Sequence, residues 1–241
     1  MTGMIKNKIW YLQKTNLFKE MSPEEMKELD RITVEESVKK KAAVFFPGDP
    51  SRQIYILKVG HIKISRVSEE GREVTLALLE PGDIFGELEV LQDSPRDTLA
   101  EALDDSQLCV IQKEQFLSMI HRKPEYSYRL IKLIGFRLKK IENRVEDLVF
   151  RDVHSRVALL LWQFSKDYGR TTPKGIRIEI KVTHQDIANL IGSIRETVSS
   201  VLGEFKKEGL ITFEGRNILV VRVDLLKNRA GSSTFPSPSQ D

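Results

Sequence analysis

The chain has 241 residues, 40% of them hydrophobic and 30% charged, so it can bury one large core or two modest ones and is neither collagenous nor disordered throughout. Its formal charge of +3 permits a polyanionic partner without requiring one. No apolar run reaches the ~18 residues of a membrane span, and the amino end carries no signal-peptide core, so a cytoplasmic location with no membrane partner is expected.

The amino-terminal third opens with a helical stretch, and Ser22-Pro23-Glu24-Glu25 reads as a helix start: a capping hydroxyl, a proline in the first turn and a glutamate three residues after the cap. From Thr33 the period changes. Short β-rich runs follow at Ala43 to Phe46, Ile54 to Lys58, His61 to Val67, Val74 to Leu79 and Gln107 to Ile111, broken by turn signals such as Pro47-Gly48-Asp49 and Pro81-Gly82-Asp83. Many short strands with glycine turns predict a small barrel or sandwich. The single cysteine, Cys109, sits between Leu108 and Val110 and reads as a buried apolar residue. The four histidines, His61, His121, His154 and His184, lack ligand spacing, and no metal site is expected.

Beyond Pro124 a helical period holds to about Phe150. Ile131, Ile134, Leu138, Ile141, Val145 and Leu148 recur with alternating gaps of three and four, a heptad seam suited to pairing two copies of the helix. Arg137, Lys139, Lys140, Glu142, Arg144 and Glu146 beside it are expected to form a solvated face. A third section starts near Asp152 with the apolar-rich helix Val157 to Phe164. A turn from Tyr168 to Gly175, a strand from Ile176 to Lys181, two short helices and a two-stranded pattern from Leu210 to Val223 follow. The strands of that last pattern turn at Glu214-Gly215-Arg216-Asn217.

The stretch VTHQDIANLIGSIRETVSSVL, Val182 to Leu202, specifies two helices joined by a tight turn. Thr183 and Asp186 open the first, Ile187, Leu190 and Ile191 give it an apolar face, and Gly192 makes the turn. Ser193 is expected to cap the second, with Val198, Val201 and Leu202 facing inward. In a helix-turn-helix the amino end of the second helix meets base edges in the major groove, which puts Arg195, Glu196, Thr197 and Ser200 in the role of base contacts. Arg195 is suited to guanine and Glu196 to a cytosine amino group; a capping box with Ser193 is the competing role of Glu196. Thr183, His184, Gln185, Ser199 and Lys206 are candidate phosphate contacts, with Lys181, Lys207 and Arg216 as further neighbours. Residues 151–228 hold 13 Lys and Arg against 9 Asp and Glu, so the basic excess of the chain lies in this section. No nucleophile with its base and no phosphate-cradling glycine loop is found, so an enzyme is not expected and no catalytic residue is assigned.

The helix-turn-helix, the preceding FGELEVLQDSPRDTLAEA and the order of β-rich section, long helix and reader together resemble the Crp-Fnr family over roughly Leu17 to Leu226. The resemblance implies an α+β chain: a cyclic-nucleotide-binding-like β-roll sensor with an amino-terminal helix at 1–123, a dimerisation helix at 124–150, a winged helix-turn-helix DNA-binding domain at 151–228 and a disordered tail at 229–241. It implies a bacterial transcription regulator that binds a palindromic promoter site on double-stranded DNA as a homodimer and works with RNA polymerase. The lone cysteine departs from the iron–sulfur-binding Fnr branch.

The effector cassette of cyclic-AMP-binding members matches Gly86, Glu87 and Arg96, with glutamate on the ribose hydroxyl and arginine on the cyclic phosphate. Asp97 stands where those members carry a serine or threonine, followed here by Thr98. A carboxylate ~4 Å from a phosphate at an effective dielectric of ~20 costs about 4 kcal/mol, roughly a thousandfold in affinity. Ile141 and Glu142 replace a Thr-Ser pair that meets the adenine, and Ser200 replaces a second arginine of the recognition helix. The expected regulator therefore has an altered or absent effector and no cofactor, with Glu87 and Arg96 as an internal ion pair. The alternative is a cyclic-AMP-dependent regulator whose β-roll binds the nucleotide.

Overall fold

A computed structural model describes residues 17–215 and 217–231 together with Ile9 and Leu12. Most of the predicted amino-terminal helical stretch, Arg216 and the tail from residue 232 lie outside the described residues. The chain forms two compact units, Met1–Ile141 and Glu142–Asp241.

In the first unit helix α1 (Pro23–Ile32) opens with the predicted capping box: the Ser22 hydroxyl accepts from the Glu25 amide at 3.2 Å and the Glu25 carboxylate accepts from the Ser22 amide at 2.7 Å. Eight strands follow: β1 (Thr33–Val38), β2 (Ala43–Phe45), β3 (Gln53–Val59), β4 (Ile62–Val67), β5 (Glu73–Leu79), β6 (Ile84–Phe85), β7 (Leu99–Ala102) and β8 (Ser106–Gln112). They form two antiparallel sheets in the orders β1-β8-β3-β6 and β2-β7-β4-β5. Five of these strands match the sequence expectation. β1 carries consecutive glutamates on a sheet edge, β6 has two residues, and β7 is short and alanine-rich, so none gives a strong strand signal.

Strand β3 of the first sheet is buried on both faces, which explains its unbroken apolar run, while residues 34–37 of the edge strand β1 are exposed. Tyr55 and Leu57 point between the sheets with Phe45, Ile62, Phe85 and Ala100. Ile54 and Ile56 point the other way, into a core shared with Phe18, Leu29, Phe116 and Leu130. Cys109, opposite Ile56 in the ladder, is fully buried in that second core. Helix α2 (Glu87–Leu91) follows β6, and α3 (Lys113–Arg122) leads into α4, which runs unbroken over Pro124–Phe150 as predicted. Tyr126 and Leu130 of α4 are buried, and Leu133 and Ile134 pack partly against the same core.

The second unit holds α5 (Val153–Asp167), β9 (Gly169–Thr172), β10 (Gly175–Ile178), α6 (His184–Ile191), α7 (Arg195–Lys207), β11 (Ile211–Glu214), β12 (Asn217–Val220) and α8 (Val223–Arg229). Asp152 caps α5 by accepting from the Ser155 amide at 2.7 Å. The strands form one sheet in the order β11-β12-β10-β9. The predicted turn from Tyr168 to Gly175 contains β9, with the reversal confined to Pro173 and Lys174. The predicted disordered tail does not begin at 229, because Arg229 ends α8 and Ala230 is buried, its carbonyl accepting from Arg151.

Candidate nucleic-acid interface and effector cassette

The helix-turn-helix is built from two helices packed through Ile187, Ala188 and Ile191 of α6 and Val198, Val201, Leu202 and Phe205 of α7, all buried. Thr183 caps α6 in a box with Asp186, as predicted. Gly192 ends it at φ 63° and ψ 50°, a left-handed conformation that favours glycine. The turn is tied by the Ser193 amide donating to the Ala188 carbonyl at 3.0 Å. The second helix differs from expectation: its N-cap is Ile194, not Ser193, and no side chain caps it. Glu196 therefore has no capping box to complete.

Arg195, Glu196 and Ser200 are exposed and Thr197 half-buried on α7, turned away from the buried stripe. Among the described residues, neither Arg195 nor Glu196 has a side-chain hydrogen bond or ion pair. Ser200 donates to Glu204 at 3.3 Å, and Glu204 pairs with His154 of α5 at 2.9 Å; that histidine contact is the main cause holding the Glu204 carboxyl below its ordinary range. Of the candidate phosphate contacts, His184 and Ser199 bond to each other, while Gln185 and Thr183 bond to residues of α6. His184 and Ser199 meet at 2.8 Å, the Gln185 amide donates to Asn189 at 2.8 Å, and Thr183 donates to Asp186 at 2.7 Å. Lys206 lies 5.8 Å from the Phe213 ring centre on β11. Arg216 falls outside the described residues.

The end of α4 holds this reader. Arg144 donates to the carbonyls of Asn189, at 3.2 Å, and of Leu190, closing the carboxy-terminal turn of α6. Burial lowers the Arg144 pKa. Leu148, one turn on, lies so close that a Cβ on Gly192 would come within 2.9 Å of its methyl group. Arg144 is thus not part of a solvated face, and no signal in the sequence distinguishes it from its charged neighbours.

Of the proposed seam, Ile134 packs partly on the core of the first unit, whereas Ile131, Leu138, Ile141, Val145 and Leu148 are 42–66% exposed. Tyr128, Phe136, Val149 and Phe150 of the same helix are exposed as well.

The effector cassette is arranged differently from the expectation. Arg96 is buried and pairs with Glu89 at 3.1 Å, not with Glu87. It also donates to the carbonyls of Gly86, at 2.7 Å, and Gln53, and its guanidinium lies 4.4 Å from the centre of the Phe45 ring. Gly86, at φ 76°, admits this close approach, since a Cβ there would stand 2.8 Å from Arg96 Nη1. Glu87 is fully buried and paired with Arg137 of α4, which also donates to the Ile84 carbonyl. Burial pushes the Glu87 carboxyl up from its ordinary value, against the opposing charge of Arg137. Asp97 is 60% exposed and pairs with Arg66, so its charge is turned outward rather than into the cassette. Thr98 is buried.

This arrangement does not fit a cyclic phosphate on Arg96. Both terminal nitrogens are engaged with backbone oxygens, and a phosphate reaching them would meet the Glu89 carboxylate. Glu87 Oε2 and Arg96 Nε are the buried polar atoms of the cassette without a hydrogen-bond partner among the described residues.

The chain matches the cyclic nucleotide-binding domain over residues 35–123 and the Crp-like helix-turn-helix domain over residues 155–229. It is 34% identical over 187 residues to the CRP-like cAMP-activated global transcriptional regulator of Mycobacterium tuberculosis, covering 78% of this chain and 84% of that one. It is 36% identical over 187 residues to the global nitrogen regulator of Synechococcus elongatus, covering 77% and 84%. Among solved structures, a CooA variant from Carboxydothermus hydrogenoformans superimposes with a TM-score of 0.73 at 28% identity, covering 90% of this chain and 96% of that one. Among the described residues no helix is long and apolar enough to cross a membrane. The β-roll, long helix and winged reader, with these likenesses, place the chain in the CRP family of DNA-binding transcription regulators, which are not enzymes.

Proposed function

We propose that two copies of the chain pair along Ile131 to Leu148 of α4 and bind a palindromic operator in the cytoplasm, with RNA polymerase as the downstream partner. The division of labour is a sensor at 1–123, a pairing helix at 124–150 and a reader at 151–228. Pairing would hold two copies of α7 about one helical turn of DNA apart, ~34 Å. The observation that carries this reading is the row of exposed apolar side chains on α4, a surface that water leaves unfavourable and a second copy of the seam would cover. Arg195 and Glu196, uncommitted at the opening of α7, are the base contacts, favouring a G·C pair in each half-site.

Enrichment of random duplexes on the purified protein should return a palindrome. Arg195→Ala should cost ~1–3 kcal/mol at one base pair, symmetrically in both halves, while non-specific binding is nearly kept. An unchanged preference in that variant would contradict the assignment.

The effector of the roll is altered or absent, because Arg96 is committed to Glu89 and to two carbonyls. A cyclic-AMP-dependent regulator is the second reading, favoured by the two unsatisfied cassette atoms and by the mycobacterial relative. Relatives at similar identity carry the names of a cAMP-activated regulator and a nitrogen regulator, so overall likeness does not choose between effectors.

A further inference from the structure

The recognition helix opens on a residue that the fold does not use. Helices α1, α5 and α6 each begin with a side-chain cap, from Ser22, Asp152 and Thr183, whereas α2, α3, α7 and α8 have none. Helix α7 begins at Ile194, whose side chain can accept nothing, so the first amides of the helix are left without a side-chain cap. Nor does Ile194 serve packing. It is 62% exposed, while Ile191 and Val198 on either side of it are buried. A β-branched apolar side chain thus stands in water directly before Arg195 and Glu196, where a serine would stabilise the free protein.

We propose that Ile194 is a specificity-determining residue that contacts the 5-methyl group of a thymine in the operator. Thymine alone carries a methyl group on its major-groove edge, and an apolar side chain against it removes both from water. Cytosine at that place would offer no methyl and would leave its amino donor facing a hydrocarbon. The thymine lies beside the G·C pair assigned to Arg195 and Glu196. This inference rests on the reading of α7 as the element that enters the groove.

The test uses the full chain and its enriched operator, with each thymine of a half-site replaced singly by deoxyuridine. That change removes the methyl group and keeps the base pair. The wild-type protein should lose about three- to fivefold in affinity at one thymine per half-site, the effect of uncovering one methyl group. Ile194→Ser should bind the thymine operator more weakly by a similar factor and be indifferent to uracil at that place. Its melting temperature should not fall, since serine supplies the missing cap. Ile194→Val, which keeps a branched apolar surface, should retain the uracil sensitivity. Tolerance of uracil at every thymine by the wild type, or undiminished sensitivity in Ile194→Ser, would overturn the proposal. If Arg195→Ala also leaves the operator preference unchanged, the reading of α7 itself fails; if Arg195→Ala behaves as expected, the failure belongs to Ile194 alone.

Discussion

Arg96 illustrates how far residue identity carries and where it stops. The sequence pattern points to an internal pair of Arg96 with Glu87, whereas the fold pairs Arg96 with Glu89. Which glutamate it meets is a matter of geometry: Glu87 and Glu89 lie on the same short helix, α2, and face different partners, Arg137 and Arg96. Asp97, the residue that argued most strongly against a phosphate ligand, lies outward beside Arg66. Cyclic AMP on Arg96 is therefore opposed not by Asp97 but by the contacts already occupying Arg96, with Glu89 next to it. Releasing those contacts exposes a buried acid without its partner, a cost of several kcal/mol in the interior. Calorimetric titration of cyclic AMP into the purified chain should accordingly give no binding heat up to millimolar nucleotide. Saturable heat that Arg96→Ala abolishes would support the second reading instead.

At the scale of elements, the turn of the reader is fixed by a conformation and a contact together. Gly192→Ala would place a side chain at φ 63° and drive its Cβ to 2.9 Å from the Leu148 methyl. The left-handed conformation alone costs about 1–2 kcal/mol. In a Trp10→Phe background, where Trp162 of α5 is the remaining tryptophan, the denaturation midpoint should fall; an unmoved midpoint would show that the turn is not constrained in this way. The elements legible in the sequence are those with a local physical signature. The capping boxes at Ser22 and Thr183, the heptad spacing of α4 and the turn at Gly192 all specify themselves within a few residues. The start of α7 differs from the sequence expectation by one residue, because Ser193 is the better cap and the fold nevertheless places Ile194 there. Strand β9 carries the turn signals of Gly169 and Pro173, while its order comes from pairing with β10. Contacts such as Arg144 on Leu190 and Arg137 on Glu87 leave no trace in the sequence, since they join positions about fifty residues apart.

For the whole molecule, family, order of parts and reader were legible because each rests on a contiguous motif. The proposed pairing of chains rests on a spacing, with one revision: Ile134 packs partly on the core of the first unit, leaving five seam residues exposed. The carboxy-terminal end of α4 holds α6 through Arg144 and Leu148, so the proposed pairing along α4 would bear directly on the reader. Sedimentation equilibrium of the chain with its enriched operator measures the stoichiometry on which this depends. Two chains per duplex are expected, reduced to one or none by Ile141→Glu, which puts a charge in the seam. One wild-type chain per duplex, or two that Ile141→Glu leaves undisturbed, would contradict it.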